Sequence, residues 1–122
     1  MKALLLIAHG SRRKESNDEV CLLVDKLKAN CADRYGVVHG CFLEIATPLM
    51  KEGIELCVKD GATSVVVLPY FLNSGSHVVE DIPNIAKELQ LLHPNLKITV
   101  AAHIGASDAL TDLLMTLAST VE

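Results

Sequence analysis

Two histidines stand where a chain can put an imidazole to use. His9 closes the apolar run LLLIAHG (4–10) and is followed by Ser11 and three cations, Arg12, Arg13 and Lys14; His77 lies in LNSGSHVVED (72–81). An imidazole takes up or releases a proton near neutral pH and ligates divalent first-row metals, so a converging pair can bind an ion, accept protons, or do both. A lone histidine at a strand end more often only hydrogen-bonds a carbonyl; two brought to one place tip the balance towards chemistry. Gly10 lets the backbone turn tightly after His9, and Ser11 can cap a helix. Pro83 cannot lie deep in an α-helix, so a regular helix is expected to begin near Asp81, with His77 in a loop or a separate short turn.

The neighbours of the two histidines add to this. Tyr70, Phe71 and Leu72 make an apolar shelf for a flat ligand, unless Phe71 merely packs downwards. Asn73, Ser74, Gly75 and Ser76 supply polar groups and flexibility. Arg12 and Arg13 suit carboxylates or phosphates, and in a first helical turn they oppose the helix dipole. Glu44 offers a carboxylate at the end of a second apolar run, although an acid at a helix start reads the same way. His39 falls mid-strand and His93 in a surface turn. His103, in AHIGAS, points to the ligand side as a weaker third candidate.

These side chains need a frame, and the hydrophobic rhythm supplies one. Strands are expected at 4–8, 37–43, 64–69 and 96–102. Helical stripes fall at Val20, Leu23, Val24 and Leu27; at Leu49, Gly53, Ile54, Cys57 and Val58; at Ile82, Ile85, Ala86 and Leu89; and at Leu110, Leu113, Leu114 and Leu117. Thr47 is expected as the N-cap of the second helix with Pro48 at its first position and Gly61 ending it; His93–Pro94 closes the third and Ser107 caps the fourth. Strand–helix alternation with short connections implies right-handed crossovers and a parallel sheet. The predicted fold is a small doubly wound, four-stranded parallel α/β domain of flavodoxin-like kind, with strand order 2-1-3-4 and helices on both faces. Its ligand crevice lies beyond the carboxyl ends of the first and third strands, where the strand order reverses. His9 follows one of these strands and His77 the other.

Composition narrows the function. With 122 residues the chain makes one domain, 1–122. Half its residues are hydrophobic, but only two are Phe, two are Tyr and none is Trp, an aliphatic richness that suits a buried parallel sheet. The net charge of −4 gives no basic footprint for nucleic acid or an anionic membrane. No apolar run reaches membrane-spanning length, the N-terminus lacks the form of a signal peptide, and Cys21, Cys31, Cys41 and Cys57 show no CxxC spacing; a cytoplasmic protein with reduced thiols is expected. The glycines match neither GxGxxG nor GxxxxGK[ST], so dinucleotide and nucleoside triphosphate binding lack support.

AHGSR (8–12), FLEIATP (42–48) and LPYFLNSGSHVVEDIP (68–83), in this order, resemble the class II chelatases of tetrapyrrole synthesis in their short, single-domain form. The resemblance implies ATP-independent insertion of a divalent metal into sirohydrochlorin, Co²⁺ first with Ni²⁺ or Fe²⁺ as alternatives, and no prosthetic group. It implies a homodimer with the macrocycle between subunits, longer relatives holding two such domains in one chain. On its terms His9 is the metal-binding and proton-accepting histidine and His77 the second metal ligand. Thr47 and the run Leu72, Asn73, Ser74, Gly75 and Ser76 line the tetrapyrrole; some relatives carry an acid where Thr47 stands. Arg12 and Arg13 would answer the carboxylates of the macrocycle. Two other readings compete. One is a non-catalytic module that binds metal or tetrapyrrole for delivery. The other is a histidine phosphatase, whose RHG motif would need an arginine where Ala8 stands.

Overall fold

The computed structural model describes residues 1–31 and 33–122. The strand β1 (Lys2–Ala8) is its axis: after Lys2 every residue of β1 is buried. It is flanked on one side by β2 (Val37–Phe42) and on the other by β3 (Ser64–Pro69), and β4 (Lys97–Val100) pairs with β3 at the far edge. All pairs are parallel, in the order β2-β1-β3-β4, with Leu5 level with His39 on one side and Val67 on the other. The predicted order and strand positions hold. At Leu43 and Ala101 the ladder hydrogen bonds run one residue past the strand ends, to the carbonyls of Ala8 and Val67.

The helices are α1 (Lys14–Asn30), α2 (Met50–Lys59), α3 (Ile82–Leu92) and α4 (Ala109–Ser119). Alternation along β1 sends Ala3, Leu5 and Ile7 to one face, where Val65, Val67 and Cys41 lie beside them. Met50, Ile54 and Cys57 of α2 and Ile82, Ala86 and Leu89 of α3 close this main core. Gly53 brings α2 close, since a Cβ there would press on Cys41 and Leu5 at 3.0 Å. On the other face α1 packs on β2, admitted by Gly40, whose absent Cβ leaves room for a Val24 methyl. The predicted stripe of α1 is half-buried, and α4 buries no residue at all.

Three expected caps are corrected. Thr47 does not cap α2 and Pro48 is not its first residue: the helix starts at Met50, with Leu49 at its N-cap position. The Pro48 carbonyl instead accepts the Phe42 N–H at 2.8 Å, and Leu49 bridges Phe42 in parallel, so these residues continue the sheet edge after a cis Thr47–Pro48 bond. Glu52 then serves the helix start, accepting the Leu49 N–H at 3.3 Å. Ser11 stands two residues before the N-cap position of α1, which Arg13 holds, and its Oγ accepts the Arg13 N–H at 3.0 Å. Gly61, at φ +98°, ends α2 as expected, but Ser107 does not hold the N-cap position of α4, which is Asp108; it stands one residue earlier, its Oγ accepting the Ala109 N–H at 3.3 Å.

Candidate metal centre

The carboxyl ends of β1, β2 and β3 release their chains side by side. The Leu43 N–H donates to Ala8 O at 2.8 Å and the Glu44 N–H to His9 O at 3.1 Å, so the loop after β2 is laced to the loop after β1. Gly10 makes this possible: its φ is +97°, and a Cβ there would run into the Glu44 carbonyl. The next turn is strained. Ile45 has φ +72°, and the Ala46 N–H closes on Glu44 O at 2.8 Å, a γ-turn with a β-branched residue in left-handed backbone. Such a conformation costs roughly 1–3 kcal/mol and persists only where its surroundings over-determine it.

Asn17 of α1 clamps the His9 loop from the other side. Its Oδ1 accepts the Ser11 N–H at 2.9 Å and its amide donates to Ser11 O at 2.8 Å. His77 arrives from β3 through the exposed run Leu72–Ser76 and opens a π-helical turn, His77–Asp81, that runs into α3. The separate short turn expected for His77 is therefore present. The two imidazoles lie with ring centroids 4.9 Å apart.

Three side chains converge. One donor atom each from His9, Glu44 and His77 falls within 4.8 Å of the others, the three coming from loops after three different strands. His9 Nε2 is 3.1 Å from Glu44 Oε1. Two donors held at about 2.1 Å by one ion in neighbouring positions stand roughly 3.0–3.4 Å apart, so that pair already has the spacing of a chelate. His9 Nδ1 lies 3.1 Å from Gly10 O and His77 Nδ1 lies 2.7 Å from Asp81 Oδ2. A carboxylate oxygen only accepts, so His77 Nδ1 carries the hydrogen and its Nε2 stands free to ligate. His9 faces an acceptor oxygen at each nitrogen, Gly10 O and Glu44 Oε1, so its Nε2 takes a metal only where the ion replaces a hydrogen between it and Glu44.

Cavities open on both sides of the cluster. One of about 290 Å³ runs under α1 and is lined by His9, Ser11, Asn17 and Tyr70, among others. The other, of about 270 Å³, is lined by Leu43, Glu44, His77, Asp81, Asn84 and Ile85.

The remaining predicted residues sort by position. Glu44 is drawn out of the general crevice wall to the cluster itself. Tyr70 and Leu72 are exposed and form the apolar shelf, but Phe71 packs against the core and leaves it. Arg12, Arg13, Asn73, Ser74, Gly75 and Ser76 are exposed on the loops that carry the two histidines. Thr47 is exposed beyond the γ-turn, outside the cluster. His103 also stays outside it among the described residues; its loop instead supports Leu72, whose carbonyl a Cβ on Gly105 would strike. His39 pairs with Asp60 at 2.7 Å, the satisfied mid-strand histidine that was expected. Asn17 and Asp81 escaped sequence reasoning, though the four-residue spacing of His77 and Asp81 was a usable signal. Cys41 and Cys57 take no part: burial raises both thiols, Cys57 to about 11. A phosphatase is disfavoured, because the phosphate-clamping arginine is replaced by Ala8, the buried last residue of β1.

The chain is similar to known proteins along nearly its whole length. The family model described as CbiX matches residues 3–121. The chain is 34% identical over 114 residues to a sirohydrochlorin cobaltochelatase of Sulfolobus acidocaldarius, covering 93% of this chain and 87% of that one. It is 30% identical over 115 residues to a sirohydrochlorin ferrochelatase of Priestia megaterium, covering 94% of this chain but 42% of the relative; against this and other long relatives it spans under half their length. The crystal structure of the sirohydrochlorin chelatase SirB from Bacillus subtilis subspecies spizizenii in complex with cobalt superposes with a TM-score of 0.80 at 31% identity, over 88% of this chain and 45% of that one.

Proposed function

Since this chain belongs to the CbiX family of class II chelatases, we propose that it inserts a divalent metal into sirohydrochlorin without ATP, Co²⁺ being the first choice and Ni²⁺ or Fe²⁺ the alternatives. The observation that carries this reading is the convergence of His9, Glu44 and His77 at the open end of the sheet. Three protein donors leave coordination positions for water and for the incoming macrocycle, unlike a closed four-ligand cage. Imidazole and carboxylate donors suit cobalt, nickel and iron alike.

Metal insertion exchanges one dication for two pyrrole protons, so metal release and proton uptake belong together. While the ion is held, His9 Nε2 and the Glu44 carboxylate are occupied. As its bonds pass to the ring nitrogens, both groups become free as bases at the moment the two N–H bonds break. Tyr70 and Leu72, 43% and 61% exposed, offer the macrocycle an apolar support. Arg12 and Arg13 answer its carboxylates, which a chain of net charge −4 otherwise repels.

The second half of the pocket is a second copy of the chain, docked through α4. The support for a homodimer is that Leu113, Leu114, Met115 and Leu117 are 52–62% exposed, and that the long relatives have room for two units of this size.

The test is anaerobic absorption spectroscopy with sirohydrochlorin and each metal in turn beside a control without enzyme. A metal-dependent spectral shift faster than the control is expected, slowed by about 10²–10⁴-fold in His9→Ala and in His77→Ala. Unchanged rates in both variants would remove the metal centre from the mechanism. Tetrapyrrole binding without acceleration by any metal would make the protein a carrier.

A further inference from the structure

Asp81 lies in the helical run that passes from the π-helical turn into α3, its own backbone helical at φ −66° and ψ −49°, and its carboxylate makes no capping bond. Its Oδ2 lies 2.7 Å from His77 Nδ1 instead. The π-helical turn between them, closed by the Ile82 N–H on the His77 carbonyl, is a rare backbone form that concentrates at functional sites. The two side chains are 40% and 46% exposed, and a pair so open to water adds little to stability. Its use has to be sought in what it does to the imidazole.

His9 and His77 are held alike at Nδ1 but by different partners. His9 meets the neutral carbonyl of Gly10 at 3.1 Å, His77 an anion at 2.7 Å. A carboxylate on the far nitrogen fixes the tautomer and ring orientation and raises the donor strength of the near one. Resting on the chelatase reading above, we infer that Asp81 is the positioning residue of the metal centre and makes His77 its stronger ring ligand. His77 is then the anchor that keeps the ion. The weaker pair, His9 with Glu44, lets go first as the ring nitrogens take over.

The test uses the full chain with Co²⁺ alone, and histidine ¹⁵N–¹H long-range correlation spectra without metal at a pH where the rings are neutral. Neutral His77 is expected as the Nδ1–H tautomer, passing to the Nε2–H tautomer in Asp81→Ala while His9 stays unchanged. Co²⁺ affinity, followed in the visible d–d bands, is expected to fall about 10–100-fold in Asp81→Ala. Asp81→Asn still offers an oxygen to Nδ1–H, so it should keep the tautomer and lose less affinity; it also supplies the reading if the alanine variant does not fold. Wild-type Co²⁺ affinity in both variants, or an unmoved tautomer in a folded Asp81→Ala, would overturn the inference. His77→Ala separates the two levels. If it binds Co²⁺ as tightly as the parent, the metal centre itself is refuted. If it binds weakly while both Asp81 variants match the parent, only the role of Asp81 falls.

Discussion

α3 and α4 are each eleven residues long and each carries an aliphatic stripe, yet they meet opposite fates. α3 buries Ile82, Ala86 and Leu89 against the sheet. α4, the more leucine-rich, buries none of its residues. The sheet repeats the contrast: Val65 and Val67 of β3 are sealed beneath the α2–α3 layer, whereas Val66 and Leu68 on the reverse face stay half-exposed. A period of 3.6 shows that a helix face wants an apolar partner. It does not say whether that partner lies in the same chain.

The contrast can be broken by mutation. Fully buried Ile82, cut to Ala, should lower the unfolding free energy by about 2–5 kcal/mol in a denaturant titration. Equal losses for Ile82→Ala and for Leu114→Ala measured on dilute monomer would erase the difference between the two helices.

A second probe is alkaline pH, which reads the two thiols of the sealed side. Cys41 of β2 and Cys57 of α2 are sealed between α2 and the sheet, with thiols raised above their ordinary value of 9.0 by burial. The unfolded chain releases these protons at lower pH than the folded one, so the stabilisation is whole below pH 9 and drains away as pH rises above it. Each thiol contributes at most about 1.4 kcal/mol per pH unit to that slope. Denaturation midpoints at pH 8, 9 and 10 should therefore decline, less steeply in Cys57→Ala; no change of slope would mean the thiols are not sealed.

The smallest effect on the fold is expected at α4. Leu114→Lys combined with Leu117→Lys should change monomer stability by no more than about 0.5 kcal/mol. The same change should convert a dimer seen by light scattering into a monomer and remove the concentration dependence of Tm. A persistent dimer would move the subunit contact elsewhere.

The sheet order and the meeting of His9 with His77 were legible because crossover handedness and the position of the crevice leave few choices. What stayed hidden depends on backbone detail. Thr47 looked like a cap, but a hydrogen bond from Phe42 to Pro48 keeps that stretch with the sheet. Glu44 sat visibly at a strand end, yet its arrival at His9 needs Gly10 beneath its carbonyl and Ile45 in left-handed backbone. Asp81 was concealed by its own ordinariness, since an acid before a helix needs no other reason. Phe71 and Leu72 are adjacent and similarly apolar, and only the course of the loop sends one inwards and the other out.

The clamps around His9 also set a tempo. Gly10 lodged against Glu44, and Asn17 gripping Ser11 at both backbone atoms, hold the loop backbone, so what is left to rotate is the exposed His9 and Glu44 side chains, tied to each other and to Gly10 O. Drawing donors spread over 4.8 Å around one ion asks only for side-chain rotations. Exposed rotamers exchange in picoseconds to nanoseconds, whereas lids and domain closures take microseconds to milliseconds. On the chelatase reading proposed above, the centre opens and resets by side-chain motion alone, without waiting for the chain to move.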